Sequence, residues 1–268
     1  MADNCANRHT SGMCLVTLAW KCHPRWRLFM AGNRDEFHAR PTAPLHRWPE
    51  SQATLIAGRD LRSGGSWMGI NGSGHAAVVT NVRDPTAAAG GPSRGELIAG
   101  YLEGNAGATA YTDALALHAA EFAPFNLLVA DADHCAYLGN RPAAHRVLQP
   151  GIHGMSNGAL DAPWPKTRHL MQVLEGWLET GEEALDAIWQ ALADETRPAD
   201  AELPATGVPL ELERMLSSAF IRGRDYGTRA STVVAIDHDG QGFIHERRFG
   251  PDGVYLGEQR VDVAPARE

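Results

Sequence analysis

The chain has no run of basic residues, no apolar stretch near the ~20 residues that a membrane-spanning helix needs, and no C-x-x-C pair. Each absence removes a class of protein. With 24 Lys and Arg against 32 Asp and Glu, and a net charge of -8, the chain lacks the basic surface that nucleic acid demands, so no nucleic-acid partner is expected. Its four cysteines, Cys5, Cys14, Cys22 and Cys135, are scattered. That argues against a zinc site or a disulfide framework and fits a reducing cytosol. The histidines have no metal-ligand spacing either, so no metal is expected and no cofactor is required. Residues 1–12 are small and polar with no apolar centre, so they do not read as a secretory signal.

What is present is a chain of 268 residues with 44% hydrophobic content, enough for one sizeable core. Cys14–Trp20 and Arg27–Ala31 read as strands around a turn at Cys22–Arg25. Arg40–Pro49, with three prolines, reads as loop. Ser66–Ile70 and His75–Val79 flank Asn71-Gly72-Ser73-Gly74, which is hairpin chemistry. Ser93-Arg94-Gly95-Glu96 has the form of a capping box and opens a helix through Tyr101. A second helix is expected over Thr112–Phe122. Phe125–Ala130 and Cys135–Leu138 read as strands, and Trp164–Glu179 and Glu182–Asp194 have helical apolar spacing. Thr228–Ile236 and Phe243–Phe249 flank a turn at Asp237–Gly240, and Val254–Val263 adds a last strand. Hairpin connections between strands, with helices in separate runs, predict an α+β fold of antiparallel sheets with helices packed on them. No internal repeat is visible. A leader over 1–13 and a single domain over 14–268 are expected.

Two segments carry chemistry. Cys14 follows a methionine and opens an apolar run, so it can become a chain's first residue. Its α-amine, with an ordinary pKa near ~8, then serves as general base for its own thiol. Asn33-Arg34-Asp35-Glu36 places amide, cationic and anionic groups after a strand, where they can face a cleft.

These residues resemble a known family. Met13-Cys14, then Ala31-Gly32-Asn33-Arg34-Asp35-Glu36-Phe37, looks like the NRDE family, of the transport-and-Golgi-organisation type. Further matches follow in order: Gly64–Gly69, Thr80-Asn81, Arg94–Leu97, Phe125–Leu127, Gly139–Arg141, Met155–Asn157, Pro163-Trp164 and Tyr226–Arg229. The family is in turn similar to N-terminal-nucleophile hydrolases of the choloylglycine and penicillin-V acylase kind. That resemblance implies a four-layer αββα sandwich and an amidohydrolase acting on a non-peptide C–N bond. It implies Cys14 as nucleophile, Asp35 orienting its amine, and Asn81 and Asn157 holding the oxyanion. Arg34 and Arg229 would fix polar substrate groups or lower the thiol pKa. The partner would be a small-molecule amide. The resemblance also implies a second reading, a non-catalytic protein that binds and passes on haem or an acyl lipid, its partner then an apolar ligand. Oligomeric state is not legible.

Each candidate has a plainer role beside it. Cys14 reads equally as a small buried residue, Arg34 and Asp35 as a structural ion pair, and Asn81 and Asn157 as turn residues. Arg229 reads as a partner for a carboxylate, and Trp67 and Trp164 as core. In the acylases two residues separate the arginine from the aspartate, whereas here they are adjacent. On a regular strand neighbours point to opposite faces. And if residues 1–13 remain attached, Cys14 carries an amide nitrogen and no basic amine.

Overall fold

The computed structural model describes residues 13–87, 90–180 and 184–264. The expected leader over 1–13 therefore lies outside the described residues up to position 12. Alternation organises the first strands. In β1 (Met13–Trp20), Val16, Leu18 and Trp20 enter one core and Leu15 and Ala19 another. In β2 (Trp26–Phe37), Leu28 and Met30 join the first core and Phe29 and Ala31 the second. A period of two places these sets on opposite faces of one sheet, and both faces are covered.

The chain continues through β3 (Thr42–Arg47), β4 (Ile56–Asp60), β5 (Met68–Ile70) and β6 (Ala76–Asn81), then α1 (Gly95–Glu103) and α2 (Ala108–Ala116). Next come β7 (Phe125–Ala130), β8 (Cys135–Asn140), β9 (Ala143–Val147) and β10 (Gly151–Met155). Three helices follow, α3 (Pro165–Thr180), α4 (Asp186–Leu192) and α5 (Leu210–Met215), and then β11 (Tyr226–Asp237), β12 (Gly242–Phe249) and β13 (Tyr255–Val263). Six strands form one sheet, ordered β10-β1-β2-β11-β12-β13, and seven form the other, ordered β3-β4-β5-β6-β7-β8-β9. Every pairing is antiparallel.

Three apolar cores separate four layers. Between the sheets lie Val16, Leu18, Met30, Trp67, Met68, Val78, Leu128 and Val234. Between the six-stranded sheet and its helices lie Leu15, Phe29, Leu170, Leu174, Trp177 and Ile188. Leu170, Leu174 and Trp177 are spaced for one face of α3, and each such side chain stabilises the packing by about 1.5–3 kcal/mol. On the other side, Leu97, Ile98, Tyr101 and Leu102 of α1 cover Ala57, Val79 and Leu127. This is the expected αββα sandwich.

The hairpin at 71–74 forms as expected. Asn71 Oδ1 accepts from the Ser73 and His75 N–H groups, both at 3.0 Å, while its amide donates to Leu102 O at 2.9 Å. The box at α1 is partly made: the Glu96 carboxylate accepts from Ser93 N–H at 3.4 Å, and Ser93 Oγ from Gly95 N–H at 3.3 Å.

Several segments differ from expectation. The region around Pro44 is not loop but β3, an edge strand whose register shifts between Ala43 and His46. An edge with a bulge is where a strand tolerates proline. β4, β9, β10 and α5 are elements beyond those expected from the sequence. The helix expected over 112–122 begins earlier, at Ala108, and ends at Ala116. Most consequential, β2 does not stop at Ala31. It runs to Phe37 between β1 and β11, so Asn33–Glu36 lie inside a central strand.

Candidate functional site

The strands bring five chain segments together at one end of the sandwich: the start of β1, the end of β2, the end of β6, the residues after β10 and the start of β11. Cys14 shares the face of Val16 and Leu18, toward the opposing sheet, and pairs across the ladder with Arg34. It is 7% exposed. Its carbonyl accepts a hydrogen bond from Ser156 Oγ at 2.8 Å. Burial pushes the thiol up to about 12, with the Asp35 charge adding to that and Arg34 opposing it. Within the longer chain this thiol is therefore a poor nucleophile.

Arg34 faces the same space. Its guanidinium stacks 4.5 Å from the Trp67 ring centroid and reaches Asp60 Oδ2 at 3.4 Å and Glu36 Oε2 at 3.7 Å. Arg40 makes a short ion pair with the same Asp60 oxygen. Asp35 points the other way, toward the helices, as adjacency on a regular strand requires. It is fully buried, and its Oδ1 accepts from Thr228 Oγ1 at 2.6 Å. Burial raises its carboxyl to about 6, against the pull of Lys166, of that hydrogen bond and of Arg34. Of the two neighbours, then, Arg34 shares the thiol's face and Asp35 lies behind it.

Asn157 is buried and donates to Asn81 O at 2.8 Å. The segment 156–158 is tied to the seven-stranded sheet: Thr80 Oγ1 donates to Ser156 O at 2.7 Å, and Asn126 Nδ2 to Gly158 O at 2.7 Å. The Tyr137 hydroxyl fixes that amide by donating to Asn126 Oδ1 at 2.7 Å. The two asparagines are thus directly linked, and Ser156 connects them to Cys14. Arg229 sits where β11 slips register between Thr228 and Ala230. Such a bulge re-aims a side chain. Its guanidinium donates to Phe37 O at 2.9 Å and Arg40 O at 2.8 Å, and burial followed by the Arg34 charge pushes it below the usual arginine value.

The structure adds residues that the sequence did not flag. Lys166, in the first turn of α3, is buried and donates to Leu216 O at 2.9 Å. Composition held a signal here, because Lys166 and Lys21 are the only lysines in the chain. Arg94, already marked by the capping-box motif, donates to Pro124 O at 3.0 Å, and burial pushes it below the usual arginine value. Arg83 forms a buried ion pair with Glu213 beneath Trp164, 5.2 Å from its ring centroid. The asparagine of the Asn33–Glu36 run is structural. Its Nδ2 donates to Leu192 O at 2.7 Å and Ala219 O at 2.8 Å, and its Oδ1 accepts from Ser231 Oγ at 2.6 Å. Trp67 is core and at the same time the stacking partner of Arg34.

An open groove of about 600 Å³ lies elsewhere, between β10 and the outer face of α3, lined by Cys22, Ile152, Met171 and Leu178 and by the charged or polar Arg168, Gln172, Glu175 and Glu179. None of the six candidate residues lines it. Among the described residues no group of three or more His, Cys, Asp or Glu is arranged to hold a metal ion, and no helix is long and apolar enough to cross a membrane.

The sequence matches the model of the family described as Transport and Golgi organisation 2 over residues 13–251. The chain belongs to that family. It is 32% identical over 256 residues to the Bos taurus Transport and Golgi organization protein 2 homolog, covering 88% of this chain and 92% of that protein. It is 30% identical over 257 residues to the Homo sapiens homolog, with the same coverage of 88% and 92%. A variant of the conjugated bile acid hydrolase from Clostridium perfringens matches in structure with a TM-score of 0.51 at 8% identity, over 92% of each chain. At that identity the likeness speaks for the fold, and the fold is that of the N-terminal-nucleophile hydrolases. The NRDE resemblance and the four-layer sandwich that it implies both hold.

Proposed function

We propose that this member of the Transport and Golgi organisation 2 family is a cysteine N-terminal-nucleophile amidohydrolase, acting on a non-peptide C–N bond once its chain begins at Cys14. The observation that carries the reading is the convergence at Cys14. Its thiol shares a face with Arg34, its carbonyl is held by Ser156 beside the Asn157–Asn81 pair, and Asp35 stands opposite the peptide that precedes it. In the proposed reaction the Cys14 α-amine takes the thiol proton and the sulfur attacks the amide carbon. Asn157 and Asn81 steady the oxyanion, and Arg34 and Arg229 hold polar substrate groups. The amine product leaves with the transferred proton, and water then cleaves the thioester to release the acid. The thiol pushed up to about 12 in the longer chain supports the need for that amine. The conjugated bile acid hydrolase of the same fold supports the reaction class by analogy alone. A reducing compartment suits a thiol nucleophile, and Cys14, Cys22 and Cys135 are all free.

The test has two parts. Intact mass gives the first residue of the purified protein, and a panel of N-acyl amides is then offered to chains beginning at Met1 and at Cys14. Turnover by the chain beginning at Cys14, lost in Cys14→Ala, is expected. Turnover that survives Cys14→Ala removes Cys14 from the mechanism.

The apolar strip of the groove, Ile152, Met171 and Leu178, supports a second reading, carriage of an apolar ligand such as haem or an acyl lipid without cleavage. Saturable binding of either, unaffected by Cys14→Ala and lost on filling the groove with Ile152→Trp, would select it over hydrolysis.

A further inference from the structure

The helix side of the six-stranded sheet is apolar under α3 and α4 and polar where that cover stops. Four side chains cross this face in one row, because Asn33 pairs with Ser231, Ser231 with Arg247, and Arg247 with Glu258 on successive strands. They alternate in phase with Val233 and Phe243, which belong to the core beneath the helices. α4 ends at Leu192, and Ala193 after it is small and exposed. A cavity of about 350 Å³ opens there, lined by Ser231, Ala193, Trp189, Phe249 and Tyr255, and by Arg247 and Glu258. Small-molecule sites span about 300–1,000 Å³. Ser231 is 3% exposed and forms the floor, whereas Arg247 and Glu258 are 33% and 42% exposed and lie toward solvent.

The cavity is held open by its own lining. The Ser231 hydroxyl donates to Asn33 Oδ1 at 2.6 Å, so it does not swing out to fill the space. Asn33 is in turn fixed by Leu192 O and Ala219 O. Phe249 packs edge-on against Phe220 with ring centroids 4.9 Å apart. Trp189 carries the Arg247 guanidinium 4.2 Å from its ring centroid and meets the His245 ring at 5.1 Å. A pocket already shaped in this way takes a ligand at little ordering cost.

The charges select the ligand. Arg247 Nε donates to Glu258 Oε2 at 2.8 Å, and the two Nη groups of Arg247 have no hydrogen-bond partner among the described residues. His245 Nε2 stands 3.4 Å from the same Glu258 oxygen. A ligand with one charge is attracted by one member of this pair and repelled by the other. A zwitterion is attracted by both. Because Arg247 and Glu258 are in contact, the ligand's two charges must also be adjacent. We propose that this cavity binds a free α-amino acid with an apolar side chain, on the face of the sheet opposite the Cys14 thiol. Its carboxylate takes the Nη edge of Arg247, the bidentate geometry that a guanidinium favours. Its ammonium turns to Glu258, and its side chain lies among Trp189, Phe249 and Tyr255 above Ser231.

The experiment titrates L-phenylalanine into the full chain, with the 15N-labelled indole signals followed by NMR and affinity measured by calorimetry. The chain has seven tryptophans, and Trp189→Phe identifies the signal of Trp189. That signal should move and saturate. 3-Phenylpropionate and phenethylamine, which each lack one charge, should bind roughly 10–100-fold more weakly. 6-Aminohexanoate, whose charges are far apart, should leave Trp189 unmoved. Glu258→Gln and Arg247→Met should each weaken L-phenylalanine by a similar factor, and the fold should survive because the pair is half-exposed. Ala193→Trp, at an exposed position, should fill the cavity and abolish the shift. An unmoved or non-saturating Trp189 signal, binding that persists in Ala193→Trp, or phenethylamine or 3-phenylpropionate binding as tightly as the amino acid overturns the proposal. None of these readings depends on turnover at Cys14.

Discussion

Glu213→Ala removes one half of an ion pair whose side chains are 2% (Arg83) and 5% (Glu213) exposed. Glu213 also accepts from the Thr206 N–H at 3.1 Å and from the Thr206 hydroxyl. The alanine variant therefore leaves a guanidinium charged and buried, with Trp164 on one side of it. Burial already pushes Arg83 below its usual value, and Glu213 is the chief opposing influence. Breaking a buried pair from one side costs about 3–5 kcal/mol, whereas replacing both partners by apolar groups is often neutral. For a chain of this size that single loss lowers the melting temperature by about 6–20 °C. The assay is thermal and urea unfolding of wild type, Glu213→Ala, Arg83→Met and the double variant Arg83→Met/Glu213→Leu. The singles should fall together and the double should recover most of the loss. The backbone N–H of Arg83 donates to Asn157 O at 2.8 Å, so the pair also pins the candidate oxyanion segment to the end of β6. A Glu213→Ala loss below about 1 kcal/mol, or a double variant as unstable as either single, would refute the reasoning.

Other consequences are equally direct. Asn33→Ala leaves Leu192 O, Ala219 O and the Ser231 hydroxyl without their partner; a loss of about 2–4 kcal/mol is expected by urea unfolding, and a loss under 1 kcal/mol contradicts a structural role for Asn33. Burial raises Glu246 from 4.5 to about 7. Its folded value lies above its unfolded one, so its ionisation erodes stability as pH rises through that window. Glu246→Gln should match wild type near pH 4 and exceed it by on the order of 1–3 kcal/mol above pH 7; a difference independent of pH contradicts this. Iodoacetamide at pH 8 should modify exposed Cys22 of the folded full chain long before buried Cys14 and Cys135. Peptide mapping that finds Cys14 labelled as fast as Cys22 would contradict its inert state there.

Much of the sandwich was legible because its signals are local. The Asn71–Gly74 and Asp237–Gly240 turns fix two hairpins, and Leu170, Leu174 and Trp177 mark one face of a helix. The continuation of β2 was not legible, because Asn33–Glu36 carry no apolar alternation. Their polar groups bond to Leu192, Ala219, Thr228 and Asp60, all distant in sequence. The same distance hid Lys166, whose hydrogen bond goes to Leu216 O, 50 residues further along the chain. β3 was masked by its proline, and β9 by its polarity, since its residues are mostly exposed. The candidate residues themselves were named from order along the chain. Their division between two faces of one strand, with Arg34 beside the thiol and Asp35 behind it, required the register of β1 on β2.

The central claim is that Cys14 is an N-terminal nucleophile. Acid-quench mass spectrometry tests it most directly. The chain beginning at Cys14 is mixed with excess of an activated N-acyl amide and stopped within the first turnover. One acyl group is expected, attached as a thioester, mapped to Cys14, discharged by water, and absent from both Cys14→Ala and the chain that retains the residues before Cys14. Turnover with no acyl group on Cys14, or an adduct that forms equally well in the longer chain, would contradict it.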